Sequence, residues 1–266
     1  MKEYLFGFIG CGHMGATLVK AVAKQVDAEK IAVCDFDKEK TSNLQKELGV
    51  CPIEAEELVK NSKFIVLGVK PQNMRETLFP LQNAFEENEE AVVITMAAGV
   101  EIASVRMLAK ASFPVVRIMP NTPCEVGAGV VLYALSNVDE DEKNTFLAAF
   151  SESGLLVPVE ETQVDAAGAL SGCGPAFYYL YAEGLANGAA ALGMDESLAL
   201  TLAAQTMLGA AKMLLKHGDA KRLCKEVCSP GGTTIEGVKA LEKNGVPEAA
   251  QSAVKASYQR TLELKK

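Results

Sequence analysis

The sequence predicts an α/β fold with a parallel sheet, followed by an all-α region, and three observations carry that prediction. Short β-branched runs alternate with helical patterns through the first half of the chain. Those runs are apolar almost without interruption, as strands covered on both faces by helices must be. Beyond residue 160 strand-like runs stop and long alanine-rich segments take over.

Taken in order, the candidate strands are "YLFGFI" (4–9), "IAVCD" (31–35), "FIVLGV" (64–69), "VVITM" (92–96) and "VVRIM" (115–119). Segments such as "MGATLVKAVAKQV" and "DKEKTSNLQKEL" separate them, with helical spacing and charged outer faces. "GVVLYAL" (129–135) and "LLVPV" (155–159) extend the sheet, with the acidic helix "DEDEKNTFLAAFSESG" between them. The segments "YLYAEGLANGAAALGM" and "LALTLAAQTMLGAAKMLLKHG" then read as long helices with little charge. A helix apolar on most of its surface must be covered by something. The region after residue 160 is too small to bury several such helices alone, so a second copy of the chain is the expected cover. The expected organisation is therefore a sheet domain over 1–160 and a helical domain over 161–266 that forms a homodimer. A single tight helical core is the alternative.

Composition narrows the class of function. With 49% hydrophobic and 23% charged residues the chain is not disordered. It holds no unbroken run of eighteen apolar residues, so no membrane span is expected. The apolar start is short and broken by glycines, which fits a first strand and not a signal peptide. None of the seven cysteines forms a CxxC and neither histidine lies near a cysteine pair, so neither a metal site nor a disulfide framework is expected. Reduced thiols fit this pattern best, so a cytoplasmic location is expected. A net charge of -8 argues against nucleic-acid binding, which needs clustered Lys and Arg.

The first motif is "GFIGCGHMG", in which Gly10, Gly12 and Gly15 form GxGxxG between the first strand and the first helix. Gly10 permits a tight turn, Gly12 lets backbone approach a pyrophosphate, and Gly15 lets helix and strand pack closely. Cys11, His13 and Met14 complete the turn, whose helix N-terminus offers N–H groups to phosphates. This is the pattern of a Rossmann domain, and Asp35 at the end of the second strand stands where an acid holds the adenine-ribose hydroxyls. Asp35 disfavours a 2′-phosphate while Lys38 and Lys40 just beyond it soften that preference, so NADH and NADPH both remain open. Capping the next helix is the other role open to Asp35.

Three later loops follow strands on the same carboxyl edge, where open parallel sheets bind ligands. "VKPQN" contributes Val69, Lys70, Pro71 and Asn73; "MAAGV" contributes Ala97, Ala98 and Gly99; "MPNTP" contributes Asn121. Pro71 is also a good helix start, and Lys70 is equally an ordinary solvated lysine.

Together "FIGCGHMG", "VKPQN", "AAGV", "RIMPNTP", "ALSGCGPAFYYLYAEGL" and "SPGGTT" resemble the pyrroline-5-carboxylate reductases, from the first strand to the last helix. The pair "SGCGPA" and "SPGGTT" is the specific part. The resemblance implies an N-terminal Rossmann domain and a C-terminal helical domain interlocked with a partner subunit. It also implies reduction of 1-pyrroline-5-carboxylate to L-proline by NADPH or NADH. A common family version reads SGSGPA, so Cys173 places a thiol where a hydroxyl is usual. By the same resemblance Ser229, Gly231, Gly232, Thr233 and Thr234 line the substrate pocket, with Thr234 as the catalytic residue on the ring nitrogen.

The chemistry of such a site agrees with the residues. "CSPGGTTIEGVKAL" reads as a loop entering a helix, whose first N–H groups suit one carboxylate. Ser229 or a threonine can also cap that helix, and which threonine faces the imine stays open. An iminium arrives protonated from water, so orientation and anion binding matter more than an acid–base pair. The histidines fit this: His13 lies in the phosphate turn and His217 at a helix end. The β-hydroxyacid dehydrogenases and imine-reductase relatives are the nearest rivals, but the hydroxyacid enzymes place a lysine soon after the glycine signature. Here the next lysine is Lys212. A non-catalytic, cofactor-binding regulatory protein is the third reading.

Overall fold

The computed structural model describes residues 2–264. They fall into two compact units, one running to Cys173 and including the last turns from Ser257, the other spanning Gly174–Ala256.

The first unit is built on one eight-stranded sheet. Its strands are β1 (Tyr4–Ile9), β2 (Ile31–Cys34), β3 (Cys51–Pro52), β4 (Ser62–Leu67), β5 (Val92–Thr95), β6 (Val115–Met119), β7 (Gly129–Ser136) and β8 (Gly154–Pro158). The spatial order is β3-β2-β1-β4-β5-β6-β7-β8, and β1 to β6 are parallel. Successive strands leave β1 toward one edge and resume beside it at β4, so the loops after β1 and β4 flank the point where strand order reverses. That is where open α/β sheets bind ligands.

The helices of this unit are α1 (His13–Val22), α2 (Lys38–Leu48), α3 (Ala55–Asn61), α4 (Met74–Leu78), α5 (Gln82–Glu87), α6 (Ile102–Ala109), α7 (Glu140–Phe150) and α8 (Glu161–Ser171). Local chemistry fixes several ends. Asp37 caps α2 by accepting the Glu39 N–H at 3.1 Å, and Gly49 ends it at φ 82. Asp139 and Glu142 form a reciprocal capping box on α7. Each sheet face carries its own core. One gathers Phe6, Phe8, Phe64, Phe146 and Phe150, the other Ile65, Leu67, Phe85, Val93 and Phe113. Each such side chain contributes roughly 1.5–3 kcal/mol on burial.

Two features differ from the sequence expectation. The sheet is not wholly parallel, because β7 runs antiparallel to β6. The connection over 120–128 is shorter than the dozen residues a parallel crossover requires, so the chain turns back directly. The edge strand β3 was not anticipated: it is two residues long and contains Pro52, which an edge tolerates.

The second unit holds α9 (Gly174–Ala190), α10 (Glu196–His217), α11 (Ala220–Val227), α12 (Thr233–Lys243) and most of α13 (Val246–Leu264). α9 and α10 pack on one another, yet Tyr178, Leu180, Leu192, Leu198, Leu208 and Leu215 are exposed in the single chain. α10 has 22 residues and a window of mean hydropathy 1.5, long and apolar enough to cross a membrane by length and composition. Counting unbroken apolar runs misses this, since isolated polar residues interrupt α10.

Candidate active site

The glycine turn sits at the switch point, held by backbone and by Asp35. Gly10 adopts φ +97, its N–H donates to the Cys34 carbonyl at 2.8 Å, and the Gly68 N–H donates to Ile9 at 2.8 Å. A side chain on Gly10 would lie 2.7 Å from the Gly68 carbonyl carbon, and one on Gly15 would overlap the Gly10 oxygen. Gly12 is different. An added Cβ there meets nothing within 4 Å, so the turn faces open space at that residue. α1 starts directly after Gly12 and no side chain caps its first-turn N–H groups. His13 is exposed, and a cleft of about 290 Å³ runs beside the turn, lined by Cys11, Gly12, His13, Ala16 and Thr17, by the cations Lys20 and Lys40 and by one acid, Glu125. Bare N–H groups, open space at Gly12 and nearby cations fit a dinucleotide pyrophosphate.

Asp35 is partly committed already. Its Oδ2 accepts the Cys11 N–H at 2.6 Å and its Oδ1 accepts the Asp37 N–H at 2.9 Å. Lys40 Nζ lies 3.4 Å from Oδ1, while Lys38 pairs with Glu54 at 2.7 Å. Asp37, not Asp35, caps α2, so the capping alternative for Asp35 is excluded. Burial and the adjacent Asp35 charge push the Cys11 thiol up to about 12. It is a packed thiol, not a nucleophile.

The three predicted loops leave β4, β5 and β6 on the same edge as the turn, as parallel strands require. Val69 and Lys70 lead into a short 3-10 turn over Pro71–Asn73, and Lys70 is exposed, with no ion pair among the described residues. Ala97 to Val100 form a tight turn, closed by the Val100 N–H on the Ala97 carbonyl at 3.2 Å, with Ala98 inside it and Gly99 at φ +74. Asn121 is spent within the protein: its Oδ1 accepts the Val130 N–H at 2.8 Å and its Nδ2 donates to the Ser171 carbonyl at 3.0 Å. Gly68 and Arg117 were missed. A glycine directly after a strand, and a charge inside an apolar strand, were the signals available.

The "SPGGTT" stretch lies in the second unit. The Gly232 N–H donates to the Ser229 carbonyl at 3.0 Å around Pro230 and Gly231, and Gly231 has φ +72. Proline second and a positive-φ glycine third define a type II turn. Gly232 is the N-cap of α12, with no side chain closing the cap. Thr233 and Thr234 therefore open the helix, both exposed, and neither hydroxyl has a partner among the described residues. The capping role is vacant. Two hydroxyl-bearing residues and the first N–H groups of α12 lie at one exposed helix end. His217 is the last residue of α10, before Gly218 at φ +70, as expected of a residue at a helix terminus. No cluster of metal-ligating side chains occurs among the described residues.

A glycine turn at the switch point of a doubly covered sheet, opening on a bare helix N-terminus, defines a Rossmann-type dinucleotide-binding protein. Residues 5–99 match the family model of NADP oxidoreductases, coenzyme F420-dependent, and residues 161–264 match that of pyrroline-5-carboxylate reductase dimerisation. A pyrroline-5-carboxylate reductase of Methanosarcina acetivorans is 38% identical over the whole of both chains. The solved structure of a Coxiella burnetii pyrroline-5-carboxylate reductase superposes with a TM-score of 0.89 at 32% identity, covering 99% of each chain. That of the Plasmodium falciparum pyrroline carboxylate reductase with NADP bound reaches 0.89 at 28% identity, covering all of both chains. The chain belongs to the pyrroline-5-carboxylate reductase family.

Proposed function

We propose that the chain reduces 1-pyrroline-5-carboxylate to L-proline with NADPH or NADH. The observation that carries the substrate side is the uncapped start of α12 behind the Ser229–Gly232 turn. Ser229, Gly231, Gly232, Thr233 and Thr234 form the substrate site. N–H groups of α12's first turn hold the carboxylate, using partial positive charge that no side chain cancels. Thr234 Oγ1 accepts from the protonated ring nitrogen and keeps the product amine in place. Because the iminium brings its proton from water, the protein supplies orientation and anion binding instead of a dedicated acid.

Gly10, Gly12 and Gly15, with the backbone of Cys11, His13 and Met14, hold the dinucleotide pyrophosphate, and Asp35 faces the adenine ribose. Val69, Lys70, Pro71 and Asn73, then Ala97, Ala98 and Gly99, form the rest of the cofactor wall. Asn121 supports that wall through backbone it anchors, since its side chain is already engaged. When bound, the reduced nicotinamide supplies the hydride that adds to the imine carbon. The apolar faces of α9 and α10 pair two copies as a homodimer, with any larger assembly built from that pair. This pairing gives the exposed leucines their cover without a membrane. The seven free thiols fit the cytoplasm.

Steady-state oxidation of NADH and NADPH with 1-pyrroline-5-carboxylate tests the proposal, with pyrroline-2-carboxylate and a hydroxyacid as controls. Oxidation dependent on pyrroline-5-carboxylate is expected. Turnover of the hydroxyacid alone, or none with any substrate, would overturn it.

A further inference from the structure

Arg117 stands inside an otherwise apolar strand and is 1% exposed. A guanidinium keeps its charge, so carboxylates must offset it where water cannot. Both carboxylates come from α8. Arg117 Nη2 donates to Asp165 Oδ1 at 2.6 Å, and Nη1 lies 3.6 Å from Glu161 Oε1. The same Glu161 oxygen accepts the N–H of Ile102 at 2.7 Å, and Ile102 is the first residue of α6. The segment that feeds α6 is the loop over 96–101. One carboxylate thus ties a buried cation to the end of that loop.

The remaining contacts extend this cluster along α8. Arg117, Met119 and Asn121 alternate along β6 and its exit, so they share one face. Glu161, Asp165, Gly168 and Ser171 recur every three or four residues on one side of α8. A side chain on Gly168 would lie 3.0 Å from Met119 Cγ, and Asn121 holds the Ser171 carbonyl. Sliding α8 by one turn, about 5.4 Å, would bring Gly168 toward Arg117 in place of Asp165. A buried ion pair adds little net stability but strongly penalises an arrangement that separates its partners. The cluster therefore specifies a single register.

We propose that Arg117, Glu161 and Asp165 are positioning residues for hydride transfer. They fix the 96–101 loop, the exit of β6 and the end of α8 in one arrangement on the sheet's carboxyl edge. Glu161 is the joint between loop and helix. This rests on the reading of the 96–100 loop as part of the cofactor wall. A displacement of about 1 Å in such a wall is enough to cost roughly a hundredfold in rate.

The test compares Glu161→Gln, which keeps an acceptor for the Ile102 N–H, with Glu161→Ala, which removes it. Glu161 is partly exposed, so both variants should fold. Glu161→Ala should lower kcat with pyrroline-5-carboxylate at least tenfold while the NADPH dissociation constant changes less than threefold. Glu161→Gln should restore kcat to within about threefold of the parent. Unchanged kcat per folded molecule in Glu161→Ala would overturn the proposal, and so would a Gln variant as impaired as the Ala variant. Ala98→Phe, within the loop, is the control. If it leaves both kcat and NADPH binding unchanged, the loop does not face the cofactor and the proposal falls with that reading.

Discussion

Gly10 and Gly12 lie two residues apart in the same turn, yet substituting each by alanine should damage different properties. At Gly10 the backbone has φ +97, a region in which an L-residue costs roughly 1–2 kcal/mol. The new methyl would also sit 2.7 Å from the Gly68 carbonyl carbon and 2.9 Å from the Val69 nitrogen. Backbone atoms cannot rotate away, so overpacking adds about 1–3 kcal/mol. Gly10→Ala should therefore lose roughly 2–5 kcal/mol, a large part of the ~5–15 kcal/mol that holds a domain folded. At Gly12 the backbone has φ -65 and a methyl meets nothing within 4 Å. Alanine there loses some N-cap preference but gains about 0.4–1 kcal/mol from a stiffer unfolded chain, so the two effects offset. What the methyl occupies is the ligand's space, and a tenfold or greater loss of NADPH affinity, about 1.4 kcal/mol, should follow. Urea unfolding followed by circular dichroism gives the first quantity and NADPH titration the second. A Gly12→Ala protein destabilised by more than about 1.5 kcal/mol with intact NADPH affinity would refute the assignment of that open space to the cofactor.

Thr234→Ala should lower kcat by an order of magnitude or more while melting temperature and NADPH affinity stay near the parent's, because its exposed hydroxyl has no partner to lose among the described residues; calorimetry, NADPH titration and turnover measured together decide this. Asp35→Ser should shift the ratio of kcat/KM toward NADPH, and should also destabilise the protein by about 1–3 kcal/mol, since the Cys11 N–H loses a charged acceptor. An unchanged ratio would place Asp35 away from the ribose. Burial raises the Cys11 thiol to about 12, so above the unfolded-state thiol range the native state binds more protons than the unfolded one. Unfolding free energy should fall between pH 9 and 12, by up to about 1.4 kcal/mol per pH unit from this group. Cys11→Ala should flatten that slope.

Much of the first unit could be read directly from the sequence because its signals are local. Strand periodicity, the Gly10-Gly12-Gly15 spacing and the break in character after residue 160 all act over a few residues. The direction of β7 depended on a different quantity, the length of the 120–128 connection, which a list of apolar runs does not weigh. Asn121 shows the limit at the site. Its place in a stiff loop on the carboxyl edge was legible, but its commitments to Val130 and Ser171 join residues far apart in sequence. Arg117 shows the same limit more strongly. A charge inside "VVRIM" is visible at once, but nothing local names Glu161 and Asp165 as its partners. For Thr233 and Thr234 the sequence allowed capping or ligand binding, and the placement of Gly232 at the N-cap bears on the first alone: neither threonine is the cap of α12.

The packing of α8 bears on how the chain can be divided. The family model for dimerisation begins at residue 161, so by kinship this helix belongs with the second half of the protein. By contact it belongs with the first, whose compact unit runs to Cys173. The seam of ancestry and the seam of folding differ by the length of α8. A fragment severed at the ancestral seam would strip Arg117 of both carboxylates and bare the groove that α8 fills. Any excised cofactor-binding module, and any chimera grafting a foreign helical half onto this sheet, must carry α8 with the sheet.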